Sequence, residues 1–309
     1  MKNGTASVVV SPAHKKRKKV MPWGDRVFHI CNYTVLMLLN ICMLYPIVYQ
    51  LSVSISDPLM VERGMVWLLP KGFSMEAYKE ILGDRLFLRS YLNTIIYSAS
   101  AMVISLVLLC LTAYPLSVRE LKWRGPITGF FAFTMFFGGG MIPTYLVIRG
   151  LGILNTIWAV ILPGALGMWN IILCRTFFQN IPESLRESAM LDGASEVRIL
   201  VSIVIPLSKA LMAVMALYIV VGQWNSYFGP FIYLNDSEKY PLQVVLRSIL
   251  NTGRTTTENA VTTYEDINKT LPQTLRAAAL MVTIIPIMCV YPFLQKYFVK
   301  GVMIGSIKG

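Results

Sequence analysis

Long apolar runs alternate with polar segments along most of this chain. Six runs approach or exceed the ~20 residues that a helix needs to cross a bilayer. They lie near residues 28–53, 95–118, 127–148, 157–174, 203–222 and 275–298, the fourth being the shortest. Because hydrocarbon offers no hydrogen-bond partners, each run must satisfy its own backbone groups, which favours helices. The pattern predicts an all-α polytopic membrane protein with six transmembrane helices over residues 27–299.

Residues 180–207 are rich in charge although they lie between the fourth and fifth apolar runs. Pro182 and Glu183 suit the start of a helix, where a missing N–H is tolerated and an acidic group meets the positive end of the dipole. Gly193 should end that helix, since glycine adopts the left-handed conformation at little steric cost. A second helix is expected to begin near Ser195 and to enter the membrane past Pro206.

Several polar or helix-weakening residues interrupt the apolar runs and form a candidate substrate path. Gly139 is the middle of three glycines in the third run, where a break could expose backbone to a cavity or allow close packing. Asn170 is an amide in the fourth run, where it needs a partner helix or a water-filled path. Trp224, Asn225 and Tyr227 follow the fifth run and suit either an aromatic interfacial belt or stacking against a sugar ring.

Composition and charge support a membrane protein with a defined orientation. The chain is 55% hydrophobic and 14% charged, whereas soluble domains carry about 25% charged residues. Basic residues concentrate in the segments that would be inside if both termini are cytoplasmic. Residues 1–26, with the run His14–Lys19, are thus expected to form a basic cytoplasmic tail near anionic lipid heads rather than a nucleic-acid patch.

No pattern of catalytic or metal-binding residues accompanies the apolar runs. The five cysteines fall in or at the ends of the runs, without a C-x-x-C pair, and neither of the two histidines lies mid-run beside a carboxylate or serine. No phosphate-binding G-x-x-x-x-G-K-[ST] loop is present, so energy for transport would come from a partner. A secondary transporter or channel remains the alternative, although ionisable groups for ion coupling are missing from the run centres.

The charged central segment resembles the EAA loop of ABC importer permeases. The likeness rests on the triplet Glu187–Ala189, on Gly193, and on Ile203, Ile205 and Pro206 at the family spacing, with Ser188 and Ile205 departing from the usual Ala and Leu. It implies a type I ABC importer permease with a cytoplasmic coupling helix, in a loop at about residues 180–202, that docks into an ATPase. The coupling residues would be Glu187, Ser188, Ala189, Met190, Leu191, Asp192, Gly193 and Ala194.

Similar stretches at residues 150–156, 177–185, 206–210 and 224–230 extend this resemblance to the second permease of maltose-type sugar importers. The branch that imports complex oligosaccharides with a lipoprotein is the most similar. The resemblance implies a second homologous permease in a heterodimer, two cytoplasmic ATPase subunits that bind ATP and Mg, and an extracellular sugar-binding lipoprotein. The complex would lie in the plasma membrane of a bacterium.

The last ten residues, 300–309, are expected to form a flexible, glycine-rich cytoplasmic tail. In maltose-type permeases the similar tail enters the interface between the ATPase subunits. The resemblance therefore implies ATPase contacts through Met303, Ile304, Gly305 and Lys308, and a frayed, solvated terminus is the alternative.

Overall fold

The structure, a computed structural model, describes residues 23–251 and 272–306, and the side chains of the last helix as far as Cys289. Most of the predicted basic tail and Lys308 lie outside the described residues. Residues 23–48 form one unit by themselves, a single stretch of helix, and the remainder from Tyr49 forms the other. Apart from an isolated bridge between Ser56 and Phe73, the described residues contain no β-structure.

Helices account for most of the described chain, in agreement with the predicted all-α class. In chain order they are α1 Trp23–Ser54, α2 Pro58–Glu62, α3 Glu76–Gly83, α4 Arg85–Ser117, α5 Arg124–Phe136, α6 Met141–Gly150, α7 Ile157–Ile161, α8 Met168–Gln179, α9 Glu183–Leu191, α10 Glu196–Ile199, α11 Ile205–Leu207, α12 Lys209–Trp224, α13 Phe228–Tyr233, α14 Leu242–Asn251 and α15 Gln273–Ser306.

Two helices of the described part, α1 and α4, are long and apolar enough to cross a membrane unaided. Three further crossings are possible if bent pairs count as single spans: α5 with α6 at 117°, the α7 segment with α8 at 54°, and the α10–α11 segment with α12 at 85°. The third, fourth and fifth runs are therefore each divided between helices that meet at a bend. Helix α15 contains the sixth run and has 34 residues.

The bend before α12 has a local cause in the sequence. Residues Leu200–Val204 form a π-helical turn, and Pro206 follows within α11. A π turn and a proline each interrupt the regular hydrogen-bond ladder, and both are common causes of sharp kinks. The chain turns at Ser208, which is fully buried. The second helix of the central segment thus begins directly after Ser195, as predicted, and bends by 85° where it meets α12.

The break between α5 and α6 falls at the three glycines. Gly140 has a φ of 82°, a conformation that a side chain would strain. A Cβ on Gly138 or Gly140 would meet no atom within 4 Å, and one on Gly139 would meet only Pro143 at 3.6 Å. Close packing within this chain therefore does not explain the glycines, whereas the helix break does.

Helix α4 lies at the centre of the larger unit, where it packs against α8 and α12. Asp84 caps its first turn, accepting a hydrogen bond at Oδ1 from the Phe87 backbone N–H at 2.8 Å. Toward its C-terminus, Leu109 and Ala113 join a core cluster with residues of α8, α10 and α12. Near its N-terminus, Phe87 joins a second cluster formed with α3, α14 and α15.

Residues 300–306 continue α15. The helix runs without interruption past residue 299 as far as Ser306. Met303, Ile304 and Gly305 accordingly lie in its last turns, whereas the sequence predicted a flexible, glycine-rich tail.

Candidate functional site

Helix α9 occupies the position predicted for the coupling helix. It begins at Glu183, directly after Pro182, and ends at Leu191. Its stop is a Schellman motif: the Ala194 N–H donates to the Ala189 carbonyl at 3.0 Å, and the Gly193 N–H donates to the Met190 carbonyl at 3.0 Å. Gly193 has a φ of 78°, so the predicted left-handed glycine is confirmed.

The two faces of the α9 segment have different environments. Ala189 and Ala194 are half-buried and pack against the core cluster around α8 and α10. The small alanine face therefore lets α9 approach its own domain, whereas the sequence interpretation assigned it to a partner. The opposite side is open: Leu191 is 89% exposed and Met190 is 48% exposed.

The polar coupling residues also lie on the open side of this segment. Glu187, Ser188, Asp192 and Gly193 are exposed. Together with Met190 and Leu191, they form the surface that we call the α9 face. This face thus combines two exposed apolar side chains with small and acidic groups.

Arg186 ties α9 to the rest of the domain through a polar cluster that the sequence interpretation missed. Its Nη2 donates to Glu196 Oε1 at 2.7 Å, and its Nη1 donates to Glu120 Oε2 at 3.0 Å. The Tyr114 hydroxyl, near the end of α4, donates to the other oxygen of Glu196. The Arg186 side chain is 19% exposed, against 60% for Glu120 and 47% for Glu196. The cluster thus joins α9 to α10, to the end of α4 and to the turn that follows α4.

The cluster shifts the pKa values of its charged members outside the membrane. The hydrogen bond from Arg186 lowers the pKa of Glu196, although burial opposes the shift. The same bond raises the pKa of Arg186. The pKa of Glu120 is lowered, chiefly by its own backbone hydrogen bond and further by Arg186. All three groups are therefore held in their charged forms.

Asn170, predicted for the substrate path, lines a cavity of about 550 Å³ between α4, α8, α12 and α13. Ser105 of α4 and Tyr218 and Gln223 of α12 share this lining. We call it the central cavity. Its mixture of hydroxyl and amide groups is suited to a polar solute, because such groups can replace the hydrogen bonds of water.

Asn225 and Tyr227 line a second and larger cavity of about 840 Å³, which lies at the C-terminal end of α12. Its polar lining comprises these two residues, four further side chains ending in amides, and Arg247 and Arg276. We call it the arginine cavity. The sequence interpretation missed both arginines. Arg276 could have been identified, because an ionisable residue at the start of an apolar run often marks a functional site.

Two other residues predicted for the substrate path lie elsewhere. Trp224 is 7% exposed and belongs to the core cluster around Phe87, where its ring meets Tyr91 edge-to-face at 5.7 Å. Its ring is therefore packed against this chain's own core, and it lines neither of the two cavities described above. Gly139 lies at the exposed break between α5 and α6 and lines neither of the two cavities described above.

Comparison with known families and proteins finds likeness along nearly the whole chain. The family described as "Binding-protein-dependent transport system inner membrane component" matches residues 18–304. Protein LplC of Bacillus subtilis (strain 168) is 39% identical over 286 residues, which cover 93% of this chain and 96% of LplC.

A second relative and a solved structure agree with that match. The polygalacturonan/rhamnogalacturonan transport system permease protein YtcP of Bacillus subtilis (strain 168) is 37% identical over 287 residues, covering 92% of this chain and 99% of YtcP. A chain in the crystal structure of a bacterial ABC transporter involved in import of the acidic polysaccharide alginate superposes with a TM-score of 0.82. It is 37% identical, and the match covers 90% of this chain and 99% of that one.

Proposed function

This chain belongs to the family of binding-protein-dependent transport system inner membrane components, and we propose that its cargo is an oligosaccharide that an ABC importer brings into the cell. The chain is a membrane component and a non-catalytic permease subunit. Members of this family work with another permease, an ATPase and a substrate-binding protein. ATP and Mg would accordingly be bound by the ATPase and not by this chain.

The α9 face is the observation that carries the coupling part of the proposal. It exposes Leu191 and Met190, while the preceding residue, Ala189, is packed inward. A short helix that is fastened on one side and open on the other can transmit the movement of a docked partner. We therefore assign the α9 face to the contact with the ATPase, with Ala189 and Ala194 holding the segment against its own domain.

The mechanism follows from this attachment. Closure of two ATPase subunits on ATP would move α9 as a rigid piece, because Arg186 and the alanine face join it to α4, α8 and α10. The spans would then rock between inward-open and outward-open arrangements. Met303–Gly305, in the last turns of α15, and Lys308 would form a second contact with the ATPase dimer.

The proposed assembly is a heterodimer with a second homologous permease, two cytoplasmic ATPase subunits and an extracellular sugar-binding lipoprotein. Both termini would lie in the cytoplasm of a bacterial cell, as the distribution of basic residues favours. A cysteine placed at Thr256 should then react with an impermeant thiol reagent from outside, and one at Ser195 should not. The reverse labelling pattern would contradict this orientation.

An oligosaccharide cargo is supported by the two cavities and by the relatives. Both cavities offer amides, which suits a sugar because amides can replace the hydrogen bonds that its hydroxyl groups make with water. YtcP is named for transport of polygalacturonan and rhamnogalacturonan, and the solved transporter imports alginate.

Purification of the tagged chain from its native membranes tests the proposal. We expect an ATPase and a second permease to co-purify, and ATP hydrolysis to rise when a sugar-loaded binding protein is added. Oligosaccharide uptake into vesicles should require ATP. Uptake driven by an ion gradient without any associated ATPase would instead identify a secondary transporter and refute the proposal.

A further inference from the structure

The arginine cavity contains two cations, and its described lining includes no acidic residue. Arg247 comes from α14 and Arg276 from the first turn of α15. An arginine stays charged at any physiological pH, so the cavity carries a net positive charge from its own lining. A charge that is partly withdrawn from water needs a counter-charge or hydrogen-bond acceptors.

Arg276 lacks such acceptors within the described part of the chain. Its Nε and Nη2 are buried atoms without a hydrogen-bond partner there. Its neighbours Leu275 and Ala277 are almost fully buried, so the side chain projects from a well-packed turn of α15.

Arg247 stands beside an aromatic platform at the same cavity. Its guanidinium carbon lies 4.4 Å from the centre of the Tyr227 ring, which is a cation–π distance. Tyr227 in turn stacks on Phe231, with ring centres 5.5 Å apart and planes at 21°. These ring contacts hold the second positive charge in a defined position at the cavity.

The lining also supplies the groups that bind sugar hydroxyls. Five side-chain amides share the cavity, from Gln50, Asn225, Gln243, Asn251 and Gln273. A neutral sugar would use the amides but would leave the guanidinium of Arg276 without a counter-charge. A sugar acid would use both the amides and the arginines, because each uronate unit combines hydroxyls with a carboxylate.

We infer that the arginine cavity binds an acidic oligosaccharide, with Arg276 and Arg247, which both line it, making charge-assisted contacts to uronate carboxylates. This inference rests on the proposed function, since it names the class of oligosaccharide that the importer carries. It assigns Arg276 and Arg247 as specificity-determining residues.

The test uses the complete transporter in membrane vesicles with its own binding protein. Uptake is measured for two matched pairs, trigalacturonate with galactotriose and trimannuronate with mannotriose, so that each pair differs in the carboxylates. We expect at least one acidic trimer to be imported, and Arg276→Gln to reduce its uptake efficiency about ten- to hundredfold, the range for loss of a charge-assisted hydrogen bond. Arg247→Gln should weaken uptake in the same direction.

Two further variants separate recognition from folding. Arg276→Lys keeps the positive charge but loses the planar guanidinium with its several donors. Uptake of the acidic trimer by this variant should therefore lie between those of the parent and Arg276→Gln. Arg63→Gln removes an exposed arginine that lines neither cavity and should change nothing. The amount of each variant in the membrane is measured alongside uptake.

The outcomes distinguish this inference from the proposed function. If the transporter imports only neutral trimers, or if Arg276→Gln lowers acidic and neutral uptake equally, the inference is wrong while oligosaccharide import stands. If Arg276→Gln lowers only the amount of protein, Arg276 is a structural cation and the inference is also wrong. If no oligosaccharide is imported, the proposed function fails and the inference fails with it.

Discussion

Arg186 Nη2 donates to Glu196 Oε1 at 2.7 Å, and this ion pair joins α9 to the first residue of α10. It spans the four-residue turn that contains Gly193 and Ser195. Because Arg186 also reaches Glu120, and Tyr114 reaches Glu196, the pair connects the α9 face with the end of α4. A displacement of α9 therefore moves these groups together.

Removing the positive charge of Arg186 should weaken the coupling of uptake to ATP hydrolysis more than it weakens folding. Exposed ion pairs contribute about 0.2–1 kcal/mol to stability, so we expect Arg186→Gln to leave the protein in the membrane. Sugar uptake per ATP hydrolysed should nevertheless fall, because α9 loses its bonds to two other elements. Parallel measurement of uptake and ATP hydrolysis checks this, with Arg198→Gln as a control on an exposed arginine of α10. Unchanged uptake per ATP in Arg186→Gln would contradict the role.

The same pair predicts a pH dependence of thermal stability. Glu196 has a lowered pKa in the folded protein, so its contribution is fully present above the unfolded pKa of about 4.3 and is lost as pH falls through the folded value. The Tm difference between the parent and Glu196→Gln should be constant from neutral pH to about pH 5 and shrink below it. A difference that grows on acidification would refute this assignment.

The stop of α9 depends on the backbone conformation of Gly193. Gly193→Val should cost on the order of 1–3 kcal/mol, because a branched residue is strained at positive φ, although no atom lies within 4 Å of the new Cβ. We expect uptake to be lost with the protein still inserted. Gly193→Asn is the matched control, since asparagine tolerates this conformation, and it should retain most uptake. Equal uptake by both variants would count against the rigid stop.

Leu191 should serve the partner rather than the fold. It is 89% exposed, so Leu191→Gln should leave the thermal stability of the isolated permease unchanged. The amount of ATPase that co-purifies should fall, because an apolar contact is lost from the α9 face. Leu69→Gln, at a leucine that is 77% exposed outside this face, should retain normal ATPase binding. Normal co-purification with Leu191→Gln would remove Leu191 from the interface.

The amides of the two cavities should affect the apparent affinity for sugar. Asn225→Leu and Asn170→Leu each remove a polar group from a cavity lining, and we expect the sugar concentration for half-maximal uptake to rise while the assembly stays intact. Uptake curves and co-purification together measure this. If both variants transport like the parent, the partner permease holds the sugar.

The sequence by itself determined the features that arise over one or two helical turns. Apolar runs predicted helices because a backbone in hydrocarbon must bond to itself, and α1 and α4 follow their runs closely. Gly193 predicted the end of α9, since the left-handed conformation is a property of that residue. The resemblance of Glu187–Ala194 to a coupling loop likewise depended on local spacing alone.

Tertiary structure decided which side chains face a partner, a cavity or the core. Trp224 looked like a path residue, yet Tyr91, far away in sequence, packs against its ring. Arg186 meets Glu120 across 66 residues, and Arg247 and Arg276 share one cavity although they belong to different helices. Such contacts depend on how α4, α12, α14 and α15 pack together. No periodicity within a single helix encodes that packing, because each helix has several faces and its neighbours select among them.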